Sequence, residues 1–212
     1  MHAAFWHERW ATRRTGFHAS APNPLLVAHA DALALAPGDR VFLPLCGKTL
    51  DAGWLLGRGV RVAGAELSET AVRELFAELG AEPDVTDHGP LRAFRAPGLD
   101  VFVGDVFDLT PEALGPVDAV YDRAALVALP PPMRRDYAPH LARLADGADQ
   151  LVVCFEYDQA LRDGPPFSVP EAELRRLYGD AYGLRLLADV EVPGGLWGEV
   201  PARETAWLLA AR

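Results

Sequence analysis

The chain has almost no cysteine: Cys46 and Cys154 are the two thiols in 212 residues. Both stand alone in apolar, strand-like surroundings, which argues against a disulfide framework or a zinc site and for a reducing compartment. A long apolar run is also lacking. Met1-His2-Ala3-Ala4-Phe5-Trp6 is broken at once by His7, Glu8 and Arg9, so neither a signal peptide nor a membrane span is expected, and a cytoplasmic location is. Basic charge is short: 20 Lys and Arg face 30 Asp and Glu, for a net charge of −10 and a pI near 5.0. A nucleic-acid groove would need a basic patch against that field. The pairs Arg13-Arg14 and Arg134-Arg135 read instead as solvated helix faces. No nucleic-acid or membrane partner is expected, and with no exposed apolar stripe beyond the N-terminal helix the chain is expected to be a monomer. His7-Glu8 opens a metalloprotease-like pattern, but Ala11 stands where the second histidine belongs, and no other histidines have ligand spacing; no metal is expected.

What is present is a chain 50% hydrophobic, enough for one large core and a single domain over residues 1–212. Its most informative stretch is RVFLPLCGK at Arg40 to Lys48, followed by GAELS at Gly64 to Ser68. A strand, a tight turn into a helix, a second strand and a carboxylate at its tip about 20 residues after the turn form the layout of a nucleotide-binding Rossmann half. The turn discriminates among nucleotides. Leu43-Pro44-Leu45-Cys46-Gly47 supplies one glycine and a proline without an N–H, which disfavours a pyrophosphate. Gly47-Lys48-Thr49 resembles the end of a P-loop, but Phe42 stands where its first glycine is needed. S-adenosylmethionine fits better: Glu66 can hold its ribose by two hydroxyls, and the N–H groups at the helix start after Gly47 suit its carboxylate.

Strand and helix patterns then alternate as in an α/β fold with helices on both faces of a mostly parallel sheet. Strands are expected at 40–45, 61–65, 117–121 and 150–155, with helices at the N-terminus and at 49–57, 69–80, 134–144 and 171–178. Ser68 is the expected N-cap of the helix whose apolar face is Val72, Leu75, Phe76 and Leu79. Residues 91–95 and 100–103 read as a hairpin around Pro97-Gly98. Residues 184–192 and 204–209, joined through Pro193-Gly194-Gly195, read as an antiparallel pair, because parallel strands need a longer crossover. Ligands sit beyond the carboxyl ends of strands in such sheets, and five ends carry polar or flexible groups: Leu45 to Lys48, Glu66, Asp105, Asp122-Arg123 and Glu156-Tyr157.

Phe5-Trp6, Arg9-Trp10, Gly16-Phe17-His18, FLPLCGK, AELS, YDRAALVAL at Tyr121 to Leu129 and GPPF at Gly164 to Phe167 occur in that order. Together they resemble the bacterial form of the thiopurine S-methyltransferase family. The resemblance implies a class I, Rossmann-like methyltransferase fold with a seven-stranded sheet and an antiparallel last strand, S-adenosylmethionine as donor and S-adenosylhomocysteine as product. It implies that Trp10, Leu45, Glu66 and Arg123 contact the donor, that Asp105 and Val106 flank its adenine, that Phe17 touches the acceptor, and that Pro165 and Pro166 border the acceptor pocket. Residues 1–30 would then form a helical cover over the site. The implied reaction is methyl transfer to small aromatic or heterocyclic thiols, with selenium and tellurium species as further soft acceptors. A halide or aliphatic-thiol methyltransferase of the wider family, or a donor-binding protein without chemistry, are the alternatives. One departure stands out. Eukaryotic members carry an arginine in the loop before the last strand near a tryptophan-glycine pair; here Trp197-Gly198 is present, but residues 192–196 contain no basic residue.

Methyl transfer from a sulfonium to a thiolate cancels opposite charges, so an enzyme gains mainly by excluding water and aligning reactants. Arg123 would hold the acceptor or favour its thiolate; Asp122 either orients Arg123 or ends the strand. Lys48 reads equally as a solvated helix residue or a carboxylate contact, Cys46 as a small buried thiol, Trp6 as core, and His18 and His140 as surface or capping residues. The Pro165-Pro166 loop is equally a lid rim or a rigid connector.

Overall fold

The computed structural model describes residues 3–16, 18–123 and 125–212. Within them nine strands form one sheet: β1 (Arg40–Pro44), β2 (Arg61–Glu66), β3 (Asp84–His88), β4 (Leu91–Ala96), β5 (Leu99–Val103), β6 (Ala119–Arg123), β7 (Asp149–Tyr157), β8 (Tyr182–Glu191) and β9 (Ala202–Ala211). Their spatial order is β3-β4-β5-β2-β1-β6-β7-β9-β8. β1 is buried from end to end because both of its faces are covered. Successive side chains alternate across the sheet, so Phe42, Ala63, Phe102 and Val120 enter one core and Val41, Val62, Val101 and Tyr121 the other. That double burial is why these strands read as near-continuous apolar runs.

Eight α-helices are described: α1 (Ala3–Ala11), α2 (Pro24–His29), α3 (Leu50–Gly57), α4 (Glu69–Glu78), α5 (Pro111–Leu114), α6 (Ala125–Ala128), α7 (Pro131–Leu144) and α8 (Glu171–Tyr178). Leu26, Leu55 and Phe76 bring α2, α3 and α4 to one face; Leu114, Leu126, Leu141 and Leu174 bring α5 to α8 to the other. Ser68 caps α4 as expected, its Oγ accepting from the Ala71 N–H at 3.4 Å. None of the described helices is long and apolar enough to cross a membrane.

The hairpin around Pro97-Gly98 is present as the antiparallel pair β4–β5, and β9 runs antiparallel to both of its neighbours, β7 and β8. The strand count is a correction: nine rather than the seven that the resemblance implies. β3, which pairs with β4 at one edge, is the strand that the sequence pattern did not show. β3 is DVTDH, exposed at every position, so no face is buried and no apolar alternation marks it. A second correction concerns Arg134. It is wholly inaccessible to solvent, whereas Arg135 is exposed. α7 begins at Pro131, three residues before the expected start, and Arg134 shares its buried face with Tyr137, Ala138 and Leu141, three, four and seven residues on.

Candidate active site

The turn after β1 is built from unusual backbone. Leu45 has φ +49° and Gly47 φ +54°; a left-handed leucine costs about 1–3 kcal/mol. At Gly47 the missing side chain has a second use: a Cβ there would lie 3.2 Å from Cζ2 of Trp10. The Trp10 ring, buried on α1, therefore seats directly on the turn. The Cys46 N–H donates to the Ala65 carbonyl at 3.0 Å, and its sulfur fills the space over Gly64, where a Cβ would come within 2.9 Å. Burial, then the neighbouring Glu66 charge, pushes the thiol pKa far up, so Cys46 is the packed, inert thiol that its surroundings suggest.

Glu66 stands at the tip of β2, 7% exposed. Its Oε2 accepts from the Gly47 N–H and its Oε1 from the Ser68 N–H, both at 2.8 Å. Burial raises its pKa and these backbone donors oppose the rise. The carboxylate thus ties the turn after β1 to the start of α4 while each oxygen keeps further lone-pair capacity. Gly47 and Thr49 N–H groups are already donating, to Glu66 and to the Cys46 carbonyl, so the turn offers fewer free donors than its sequence suggests. Lys48 is not solvated but ion-paired: its Nζ reaches Glu74 at 2.9 Å and Glu78 at 2.7 Å on α4.

Asp105 caps the short 3-10 turn after β5, accepting from the Phe107 N–H at 3.0 Å. Val106, next to it, is buried, and its carbonyl is bonded to His140 Nε2 at 2.8 Å. His140 is therefore a buried support of this wall and not a surface residue. At the tip of β6, Asp122 and Arg123 part company, as neighbours on a strand must. Asp122, fully buried, accepts from the Leu126 N–H at 3.1 Å and the Tyr137 hydroxyl at 2.7 Å; it ends the strand and starts α6 and does not orient Arg123. The Arg123 guanidinium has no hydrogen bond or ion pair to any described residue and faces the cavity.

That cavity, about 570 Å3, opens along the carboxyl ends of β1, β2, β5, β6 and β7. Trp10, Leu45, Gly47, Glu66, Asp105, Val106, Arg123, Pro165 and Pro166 all line it. Phe17 lies outside the described residues. Trp6 also lines the cavity instead of a core, as do His18, Arg9 and Trp197, which the sequence reading left aside or passed over as sites. Residues 165–166 are held as a fixed rim. The Tyr157 hydroxyl donates to the Pro166 carbonyl at 2.7 Å and the Phe167 N–H to the Val127 carbonyl at 2.6 Å. Beside this rim, Arg162 lies over the Trp197 ring at 4.9 Å, so a cation does approach Trp197, from another loop than the one sequence comparison singles out.

A model of the thiopurine S-methyltransferase family matches residues 1–200. The chain belongs to that family. A thiopurine S-methyltransferase of Xanthobacter autotrophicus is 60% identical over 99% of both chains, and one of Teredinibacter turnerae 51% identical over 99% of this chain and 98% of its own. Among solved structures, a 1,6-didemethyltoxoflavin-N1-methyltransferase of Burkholderia thailandensis, with bound S-adenosylhomocysteine, superposes with a TM-score of 0.66 at 16% identity, over 98% of this chain and 87% of that one. Magnesium protoporphyrin IX methyltransferase of Synechocystis, with bound S-adenosylmethionine, gives 0.64 at 16%, over 99% and 97%. These two likenesses are of fold. Membership in the family makes this chain an S-adenosylmethionine-dependent methyltransferase.

One consequence of the Asp122 environment is measurable without substrate. Burial lifts its pKa to about 6 from 3.8, against the Tyr137 and backbone donors. A folded-state pKa above the unfolded one contributes stability that is fully present below pH 3.8 and lost as pH rises through 6. Asp122→Asn keeps the shape and removes the titration. The variant should gain on the wild type between pH 4 and 7 by at most about 3 kcal/mol in urea unfolding; a pH-independent difference would refute the buried-carboxylate account.

Proposed function

We propose that this enzyme transfers the methyl group of S-adenosylmethionine to the sulfur of small aromatic or heterocyclic thiols, thiopurine-type compounds among them, and to selenium or tellurium species of similar softness. The observation that carries this reading is the Arg123 guanidinium, which has no hydrogen bond or ion pair to any described residue, in a cavity that Leu129, Phe155, Pro165 and Pro166 also line. Apolar lining suits a flat, polarisable acceptor, and a cation without an internal ion pair suits a sulfur that must react as thiolate. Two strand spacings, roughly 10 Å, separate this tip from that of β2, which leaves Glu66 for the other reactant.

The donor contributes an electrophilic methyl group; the chain's residues bind, orient and exclude water. We assign the ribose hydroxyls to the free lone pairs of Glu66, the adenine to the wall of Asp105 and Val106, and the remainder to the Leu45–Gly47 turn under Trp10. The fit rests on the Glu66 carboxylate, buried and already half-oriented by two backbone donors. α1, which lines the cavity through Ala3, Trp6, Arg9 and Trp10, acts as part of a cover formed by residues 1–30 of a single-domain, monomeric, cytoplasmic protein. Acceptor methylation then proceeds with water displaced from both reacting sulfur atoms.

Glu66→Gln removes the charge and one acceptor oxygen. S-adenosylmethionine binding, measured by calorimetry, should weaken about 10- to 100-fold, the worth of a charge-assisted hydrogen bond; unchanged affinity would strip Glu66 of the ribose role. The reaction itself is tested by mass spectrometry with methyl-labelled S-adenosylmethionine and 6-mercaptopurine, with selenite and tellurite in parallel. Labelled S-methyl product establishes the thiol reading. Donor binding without any methylated product would move the assignment to another acceptor class.

A further inference from the structure

Deprotonation of the acceptor is left unassigned by the groups considered so far. A neutral thiol must lose its proton as its sulfur takes the methyl group, and a guanidinium cannot accept it. The acid–base groups lining the cavity narrow the choice. Asp51 is buried with Oδ1 accepting from the Asn23 N–H at 2.7 Å and Oδ2 from the Tyr121 hydroxyl at 3.0 Å. Glu66 carries two backbone donors, and Asp105 is an exposed cap. Cys46 is sealed against Gly64, and Lys48 is spent on Glu74 and Glu78.

His18 is what remains among the described residues. It lines the cavity, partly buried, on the segment that leads from α1 to α2. Its N–H is fixed to the Thr15 carbonyl at 2.8 Å, while its ring makes no hydrogen bond or ion pair to a described residue. The charged groups around the ring come from three elements: Lys48 before α3, Arg123 at the tip of β6, and Glu74 and Glu78 on α4. Burial, then Lys48, and to a lesser degree Arg123, lower its pKa, with the two glutamates opposing. These surroundings favour the uncharged ring, the form able to accept a proton.

We propose that His18 is the general base of this enzyme, taking the proton of a neutral thiol acceptor while Arg123 stabilises the sulfur anion that forms. The inference rests on the thiol reading above. In the balanced step the S–H proton passes to the unprotonated ring nitrogen and the sulfur's electron pair forms the new S–CH3 bond. The sulfonium–methyl bond breaks with its pair left on the departing thioether sulfur, and the imidazolium later releases its proton to water. Positive charge from Lys48 and Arg123 keeps the ring unprotonated beforehand and so available.

The test compares wild type with His18→Gln and His18→Asn on two acceptors of similar size, an alkanethiol that is neutral at the assay pH and a nitro-substituted thiophenol that is already ionised. General-base help is worth about 100-fold or more, so kcat/KM for the alkanethiol should fall by that factor, and the fall for the ionised thiol should be smaller by at least tenfold. Equal losses on both acceptors in both variants would overturn the proposal. A readout without turnover uses the wild-type protein: the His18 ring, followed by NMR, should titrate at higher pH when an alkanethiol and S-adenosylhomocysteine are bound, because the imidazolium then faces a thiolate. No change in its titration would likewise overturn it. If wild type methylates neither thiol while still binding S-adenosylmethionine, it is the thiol reading that fails, and this inference falls with it.

Discussion

Arg134→Leu is expected to destabilise the fold by about 3–5 kcal/mol, the cost of removing one member of a buried ion pair. The side chain is wholly buried and organises two walls of the site at once. Its Nε donates to the carbonyls of Leu126 at 3.0 Å and Leu129 at 2.8 Å. Its Nη1 donates to the Ser168 carbonyl at 3.2 Å and pairs with Glu173 at 2.8 Å. Leucine would leave the three carbonyls short of a donor and Glu173, 12% exposed, without its cation. Urea unfolding at neutral pH measures the loss. Lysine should not restore it, because one ammonium cannot reproduce a planar fork that reaches three segments. Under conditions where the variant stays folded, KM for the acceptor should rise more than the dissociation constant for S-adenosylmethionine. The tied segments, 126–129 and 165–168, lie on the side proposed for the acceptor. A destabilisation below about 1 kcal/mol would show that these contacts contribute little.

Arg123→Ala is expected to lower kcat/KM about 100- to 1,000-fold, the range typical for loss of one preorganised electrostatic contact to a reacting group, here the cation proposed to hold the acceptor as its thiolate. Arg123 differs from the other cations of the cavity wall in having no hydrogen bond or ion pair among the described residues: Lys48 is held by two glutamates and Arg9 lies over the Phe5 ring at 4.6 Å. Its removal therefore leaves no buried carboxylate exposed to a new cost, and stability should change little. Arg123→Lys should recover part of the rate, since a point charge favours a thiolate without fixing its direction. Steady-state kinetics with 6-mercaptopurine, beside donor binding by calorimetry, separate acceptor handling from donor contact. Unaltered turnover and unaltered donor affinity together would remove Arg123 from the site.

Much of the scaffold was legible from local pattern. β1, β2, β6 and β7 are covered on both faces and so appear as apolar runs; α4 announces itself through Ser68 and the spacing of Val72, Leu75 and Phe76. β3 was illegible because nothing is buried on it. Arg134 was misread because a pair of arginines in an amphipathic stretch looks the same whether one of them faces water or three carbonyls. His140 was misread for a similar reason, its partner being a carbonyl 34 residues away.

The sequence by itself determined the parallel sheet, the turn after β1, the carboxylate at the tip of β2 and the family, because each depends on residues close together in the chain or on ordered blocks within it. Only the tertiary structure decided which polar groups are spent and which are free. Asp51, Asp122, Lys48 and Glu66 are engaged by partners from other segments, whereas the Arg123 and His18 side chains make no hydrogen bond or ion pair among the described residues and line the cavity. That division depends on contacts between elements far apart in sequence, and no local pattern encodes it.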